Sequence, residues 1–406
     1  MKKVLIYSLL LFAGLAASQL LPFWFGSNYV RFAPAIHIAT MFCLSFIMIH
    51  VGYEFEINKG ALRSYGLDYL VAATAAAFPW IFCALYFIFV MAPPDFWASW
   101  DAWKDALLIS RFASPTSAGV LFSMLAAAGL AATWVFKKAR VLAIFDDLDT
   151  VLLMIPLKMM IVGARWQLAI VALIMAAQLY VAWRFLHRIA LSNRWPWVMF
   201  YSAVIVAICE ALLILSKYVD PLVPIHIEVL LPAFVLGCIM ARPTGEDPHR
   251  DDSIEGSEEG PEEPSEQRVS TVVSAAFMVL VGLSMPSFTA DTLAKSLPAT
   301  STMAGHLRDL PWPGWGMIFA HVAAITVISN LGKMFPAFFY RTEASLRERI
   351  ALAVAMFPRG EVGAGVLAIS LAYGISGPVV TVAILSLAVN LVCTGLFIMA
   401  IKKIIA

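Results

Sequence analysis

The chain has 406 residues, 61% of them hydrophobic and 14% charged, with a mean hydropathy of +0.83; a soluble domain stands nearer roughly 45–50% and 25%. Such a composition excludes an ordinary soluble globular protein and points to a polytopic membrane protein, with membrane lipid as its surroundings. A formal net charge of +1, with no basic stretch interleaved with aromatics, gives no footprint for nucleic acid. The five cysteines all fall inside apolar runs without a C-x-x-C, so neither a disulfide framework nor a resident metal is expected.

Segments long enough to cross about 30 Å of hydrocarbon run near residues 4–22, 34–52, 67–92, 106–127, 138–162, 167–186, 197–216, 223–241, 269–287, 313–339, 351–373 and 377–401. The first follows Met1-Lys-Lys and could be mistaken for a signal peptide, but no convincing small-x-small cleavage site follows the run before Pro22, so it reads as a first span. The second ends in Val51-Gly-Tyr-Glu-Phe55. Trp97, Trp100 and Trp103 follow the third as interfacial anchors.

The fourth span contains Arg111-Phe-Ala-Ser-Pro-Thr-Ser-Ala-Gly119. Pro115 removes a helix hydrogen bond, and such a break at membrane depth is tolerated where the freed backbone is buried or lines a cavity. Ser114 and Thr116 add side-chain oxygens there.

The fifth span carries Asp146, Asp147 and Asp149 between Val141 and Lys158. Each Asp near a bilayer centre costs about 2.5–3.5 kcal/mol, so these carboxylates must face protein or water and are functional candidates. At about 100° per residue, Asp146 and Asp149 lie about 60° apart on one face while Asp147 projects elsewhere from the same turn.

Glu210 in the seventh span, with Glu228, His37, His50 and His321, reads as a packing or interface residue. Residues 243–268 are acidic and rich in Pro, Gly and Ser, which predicts a disordered cytoplasmic linker between the eighth and ninth spans. Trp312 and Trp315 are further interfacial anchors.

Lys333 lies inside the tenth span, where pairing with one of the aspartates would keep both charges compensated at depth. The eleventh is broken by Phe357-Pro-Arg-Gly-Glu-Val-Gly-Ala-Gly365, with Pro358 and Gly360 interrupting the helix and Arg359 and Glu361 as a candidate pair bracing it.

Twelve spans put both termini on one side. Assigning that side to the cytoplasm gives its loops 18 Lys and Arg against 6 opposite, with the other four of the 28 inside spans. The positive-inside rule then places both termini in the cytoplasm. Spans three to five and ten to twelve start from opposite sides and each contains a break, the sequence pointer to inverted repeats around a midplane site in a secondary transporter.

Four motifs in order carry a resemblance over most of the chain: Gly52-Tyr-Glu54, Asp146-Asp147, Gly332-Lys333 and Pro358-Arg-Gly-Glu-Val-Gly363. In these the chain resembles the cation:proton antiporter superfamily, in particular the bacterial sodium/proton antiporters. The resemblance implies an all-α fold of about twelve spans in which two broken helices cross beside the aspartate pair. It also implies a core domain, about 67–162 and 313–401, and a dimerisation domain, about 4–52, 167–241 and 269–287, so that residues 1–242 and 269–406 form the two membrane parts around the linker. Asp147 is the implied cation and proton carrier, Asp146 the implied partner of Lys333, and Thr116 a residue lining the site. Na⁺ would be held by Asp147 and Asp146, with no cofactor beyond the transported ions. Asp149 departs from the family's pattern and is a further coordination candidate.

The implied activity is exchange of a monovalent cation, Na⁺ first, for protons across an inner (plasma) membrane by a homodimer, serving pH homeostasis. A potassium/proton antiporter is the alternative within transporters. From other classes stand an intramembrane aspartyl protease, which needs its carboxylates on two helices, and a non-transporting sensor of the same fold.

Overall fold

The computed structural model describes residues 2–25, 29–55, 62–163, 165–219, 225, 227–241, 264–286, 310, 312–372, 375 and 377–405. Among them the chain is helical throughout, with one isolated bridge, Ile189 to Met240, in place of any strand. The helices are α1 (Lys2–Phe25), α2 (Tyr29–Tyr53), α3 (Leu62–Tyr86, prolonged by a π turn over Phe87–Met91), α4 (Trp100–Ser110), α5 (Ala118–Ala127), α6 (Trp134–Val162) and α7 (Trp166–Arg184). Then follow α8 (Trp195–Val219), α9 (Leu230–Ile239), α10 (Pro264–Leu283), α11 (Trp315–Gly332), α12 (Leu346–Ala355), α13 (Glu361–Ala372) and α14 (Pro378–Ile405).

Among the described residues, eight helices are long and apolar enough to cross a membrane. The remaining four of the twelve spans each have a reason to fall short. The fourth and eleventh are split into α4/α5 and α12/α13, the fifth carries the aspartates, and α9 has only 10 residues. Of the acidic segment, residues 243–263 lie outside the described residues, whereas 264–268 belong to the start of α10. There Pro264 stands at the first helical position and Glu266 in the first turn, both favoured at a helix N-terminus.

The chain divides into two compact units, one of Met1–His37, Arg63–Gly163 and Met278–Ala406, the other of Ile38–Leu62 and Ala164–Phe277. In the first, α14 is the central post, burying residues from Pro378 to Ile401 and packing against α1, α11, α12 and α13. Helices approach closely where glycine allows it. A Cβ on Gly332 of α11 would lie 2.6 Å from the Pro79 nitrogen of α3, so these two helices meet backbone to backbone beside Lys333. Helix α6 begins at Thr133, whose hydroxyl accepts from the Phe136 amide, and ends at Gly163 in a left-handed conformation (φ 83°).

In the second unit, α2 and α9 cross at Gly52 and Gly237, where a Cβ on either would fall 2.1 Å from a carbonyl oxygen of the other helix. Val206, Cys209, Ile227 and Val229 form a small core with Met41, Phe42 and Ile174 against it. Much of the outer half of α8 is exposed, with Leu215 at 64%, Tyr218 at 84% and Val219 at 71%, as suits a helix whose solvent is hydrocarbon.

Candidate functional site

The site is built where the two broken spans of the first unit meet. Helix α4 ends at Ser110, a 3-10 turn covers Arg111–Ala113, and Ser114 to Ser117 are extended or bent before α5 starts. In the other break α12 stops at Ala355 and Phe357 to Gly360 are irregular before α13 begins at Glu361. Pro115 and Pro358 each sit in the non-helical stretch, where the missing amide costs no helix bond. The two stretches touch through backbone: the Ser117 amide donates to the Pro358 carbonyl at 2.9 Å. The Ser117 hydroxyl donates to Glu361 Oε2 at 2.6 Å. The crossing is tight at Gly360, where a Cβ would lie 3.0 Å from Ser117 Oγ and 3.1 Å from Val281 Cγ1, so those side chains would have to give by a few tenths of an ångström.

Asp146 and Lys333 close this crossing. Both are fully buried, and Lys333 Nζ lies 2.9 Å from Asp146 Oδ2. The same oxygen accepts from the Thr116 amide at 2.7 Å, a donor that an unbroken helix would have consumed internally. Lys333 Nζ also donates to Thr116 Oγ1 at 3.0 Å, and that hydroxyl donates to the Met356 carbonyl at 3.0 Å. One threonine therefore links the carboxylate, the lysine and the second break. Asp146 Oδ1 is buried and accepts no hydrogen bond from the described residues.

Asp147 is 4% exposed and its charge acts on Lys333. Asp149, 2% exposed, interacts electrostatically with the Tyr69 phenol of α3. Ser114 is drawn elsewhere: it accepts from Arg111 Nη1 at 3.0 Å and donates to the Ala76 carbonyl at 2.9 Å.

Arg359 and Glu361, a candidate pair in the sequence, bond to other partners. Arg359 donates to the Ala113 carbonyl (2.9 Å), to Asn330 Oδ1 (2.9 Å) and to the Ser329 carbonyl (3.0 Å), and so straps the first break to the end of α11. With its amide turned to put nitrogen on the Phe357 carbonyl, Asn390 of α14 accepts from Arg359 Nη1 at 2.6 Å. The guanidinium carries five donors on a rigid planar fork, which lets it reach several acceptors at once.

The sequence also hides participants. Arg111 is fully buried, stacked 4.6 Å over the Trp80 ring, and its Nη2 donates to the carbonyls of Asp149 (3.2 Å) and Thr150 (2.7 Å) on α6. Its charge inside an apolar run was the available signal. Tyr69, Asn330 and Asn390 carry no such mark. A second charged cluster lies nearer the start of α6, where Lys138 Nζ is 3.1 Å from both Asp68 and Glu343 and the Tyr340 hydroxyl donates to Asp68 at 2.8 Å. Among the described residues no three His, Cys, Asp or Glu side chains are grouped to hold a resident metal.

The crossing brings oxygens of Asp146 and Thr116 to the Lys333 ammonium, and hard oxygens of this kind are able to hold a cation in its place. A carboxylate oxygen serves a proton as well as a metal ion, so the two ligands exclude one another.

No curated protein matches the chain at a significant level. Among solved structures it is similar to the sodium proton antiporter MjNhaP1 from Methanocaldococcus jannaschii, with a TM-score of 0.56 and 11% sequence identity over 98% of this chain and 92% of that one. That likeness establishes the antiporter fold. The model of the transmembrane sodium/hydrogen exchanger family matches residues 3–403, so the chain belongs to the sodium/hydrogen exchanger family.

Proposed function

We propose that this membrane-spanning cation/proton exchanger carries Na⁺ against protons, with Asp147 as the shared carrier and Asp146 held beside it by Lys333. The observation that carries this reading is the fully buried Asp146–Lys333 pair seated on the Thr116 amide at the crossing of two broken helices. An ion pair without water costs more in desolvation than its attraction returns unless its geometry is excellent, so a mere scaffold would be served better by hydrocarbon. A site that must be emptied and refilled with charge has a use for it.

The cycle follows from charge compensation. With protons on the carboxylates, or with Na⁺ on their oxygens, the site crosses the bilayer nearly neutral. Bare, it does not cross, because an uncompensated charge at the midplane is expensive. Only loaded forms therefore exchange sides, and uptake of one ligand is coupled to release of the other. Alternating access comes from the core spans, about 67–162 and 313–401, moving against the interface spans, about 4–52, 167–241 and 269–287. We place both termini in the cytoplasm on the 18 to 6 distribution of Lys and Arg, and take the inner membrane and the homodimer from the resemblance to bacterial sodium/proton antiporters. It needs no cofactor. A membrane transporter family leaves no ground for the protease reading.

The test is antiport in proteoliposomes with an internal pH dye and an imposed Na⁺, Li⁺ or K⁺ gradient. Na⁺ should drive the largest proton movement, and Asp147→Asn should reduce it to the level of protein-free vesicles. Full activity in that variant would remove Asp147 as the carrier. Larger movement with K⁺ would reassign the cation.

A further inference from the structure

The exchange reading gives Arg111 no task, yet its side chain is fully buried and held on several sides. Nη1 donates to Ser114 Oγ at 3.0 Å, and that hydroxyl donates onward to the Ala76 carbonyl of α3 at 2.9 Å. Nη2 donates to two carbonyls of α6, Asp149 at 3.2 Å and Thr150 at 2.7 Å. The guanidinium carbon lies 4.6 Å from the centre of the Trp80 ring of α3, whose Nε1 in turn donates to the Leu107 carbonyl of α4 at 2.7 Å. One side chain therefore ties the first break to α3 and to α6 at once.

The same break is fastened to α6 again by the Thr116 amide, which donates to Asp146 Oδ2 at 2.7 Å. The two fastenings differ in kind. On the exchange reading the Asp146 carboxylate changes partner whenever the site takes up or gives up an ion, so the contact at Thr116 varies with the load. The carbonyls of Asp149 and Thr150 do not titrate, and a guanidinium keeps its proton, so the contact at Arg111 is indifferent to the load. The Thr150 hydroxyl donates to the Asp146 carbonyl at 2.8 Å. The backbone that Arg111 grips is thus the backbone that carries Asp146.

We propose that Arg111 is a positioning residue for exchange: it holds the first break against the turn of α6 that carries the aspartates, so that the Thr116 amide and hydroxyl stay in reach of Asp146 Oδ2 when a cation takes the place of Lys333. The inference rests on the exchange reading above. Groups that orient an ion's ligands without touching the ion are worth about 10–100-fold in affinity. Because the grip is the same whichever ion is loaded, its loss weakens cation binding throughout and spares the movement that follows.

The experiment uses the full chain in proteoliposomes, with proton movement read by an internal pH dye over a series of Na⁺ concentrations. In Arg111→Gln the Na⁺ concentration giving half the maximal rate should rise about ten-fold or more, while the rate at saturating Na⁺ stays within about three-fold of the unmodified protein. Arg111→Lys keeps the charge but lacks the planar fork, and should show the same rise. Trp80→Leu removes the ring beside the guanidinium and should raise the half-saturating Na⁺ about three-fold or more. Gly237→Ala is the control for lost stability: it crowds α2 against α9 in the second unit and should leave the half-saturating Na⁺ within about two-fold. A rise short of about five-fold in Arg111→Gln, or a rise with a fall in the saturated rate beyond about three-fold, overturns the proposal. So does an Arg111→Lys protein that behaves as the unmodified one, or an equal rise in Gly237→Ala. Should neither Arg111 variant insert, Trp80→Leu decides it, and an unmoved half-saturating concentration there overturns it. Exchange that is absent from the unmodified protein would refute the exchange reading and this inference together; normal exchange with an unmoved Na⁺ dependence in Arg111→Gln refutes this one only.

Discussion

Lys333→Ala isolates the energetics on which the site depends. The ammonium is fully buried, 2.9 Å from Asp146 Oδ2 and 3.0 Å from Thr116 Oγ1. Truncation leaves Asp146 with the Thr116 amide as the remaining donor to that oxygen, and with Oδ1 still lacking a hydrogen bond from the described residues. Breaking a buried pair by removing one member costs about 3–5 kcal/mol, because the other charge is stranded. The charge-free double replacement Asp146→Asn with Lys333→Met should recover more than half of that loss, since a buried pair replaced by neutral groups of similar volume is often neutral or stabilising. The assay is thermal unfolding of the purified protein in detergent, monitored by tryptophan fluorescence, for the wild type, both single variants and the double. A Lys333→Ala protein as stable as the wild type, or a double variant no better than that single one, would refute the claim that the pair is desolvated and coupled.

Gly237→Ala tests the second unit by itself. The added Cβ would lie 2.1 Å from the Ile49 carbonyl oxygen and 2.7 Å from the Tyr53 amide nitrogen, so α2 and α9 must separate; destabilisation of about 1–3 kcal/mol is expected in the same unfolding assay. Gly66→Ala, with nothing within 4 Å of its Cβ, is the matched control and should be near neutral. Deletion of residues 246–262, which spares α10, should leave proton movement in proteoliposomes intact. Loss of exchange in that deletion, correctly inserted, would give the acidic segment a role beyond a spacer.

The spans were legible because hydrocarbon leaves the chain few options. Span lengths and breaks follow from desolvation, so α1 to α14 fall where the twelve apolar segments lie. The two breaks were legible because Pro115 and Pro358 forbid a continuous helix at points where hydropathy demands a span. Partners were much less so. Arg359 looked ready to pair with Glu361 two residues away, yet in the fold it reaches Asn330, Ser329, Ala113 and Asn390, while Glu361 takes the Ser117 hydroxyl. Local spacing cannot rank a nearby carboxylate against carbonyls that arrive from about thirty and two hundred and fifty residues away. Nor can it show that Ser114, two residues from Thr116, turns to Arg111 and Ala76.

The crossing itself imposes a further condition, and the sequence meets it. Each break exposes a helix C-terminus and a helix N-terminus, with partial charges of about half a unit among buried residues. At the C-terminal end of α4 stands Arg111, a cation where the dipole is negative, and at the N-terminal end of α13 stands Glu361, an anion where it is positive. The far end of α5 is met by Lys402, whose ammonium donates to the Ala128 carbonyl at 2.8 Å. The start of α5 faces Asp146 through the Thr116 amide. Asp146 thus compensates a helix terminus as well as a lysine, so any ion that displaces Lys333 from it acts on the hinge of the broken helix at the same time. On the proposed function, a site wired in this way would couple its occupancy to backbone geometry without a separate transmitting element.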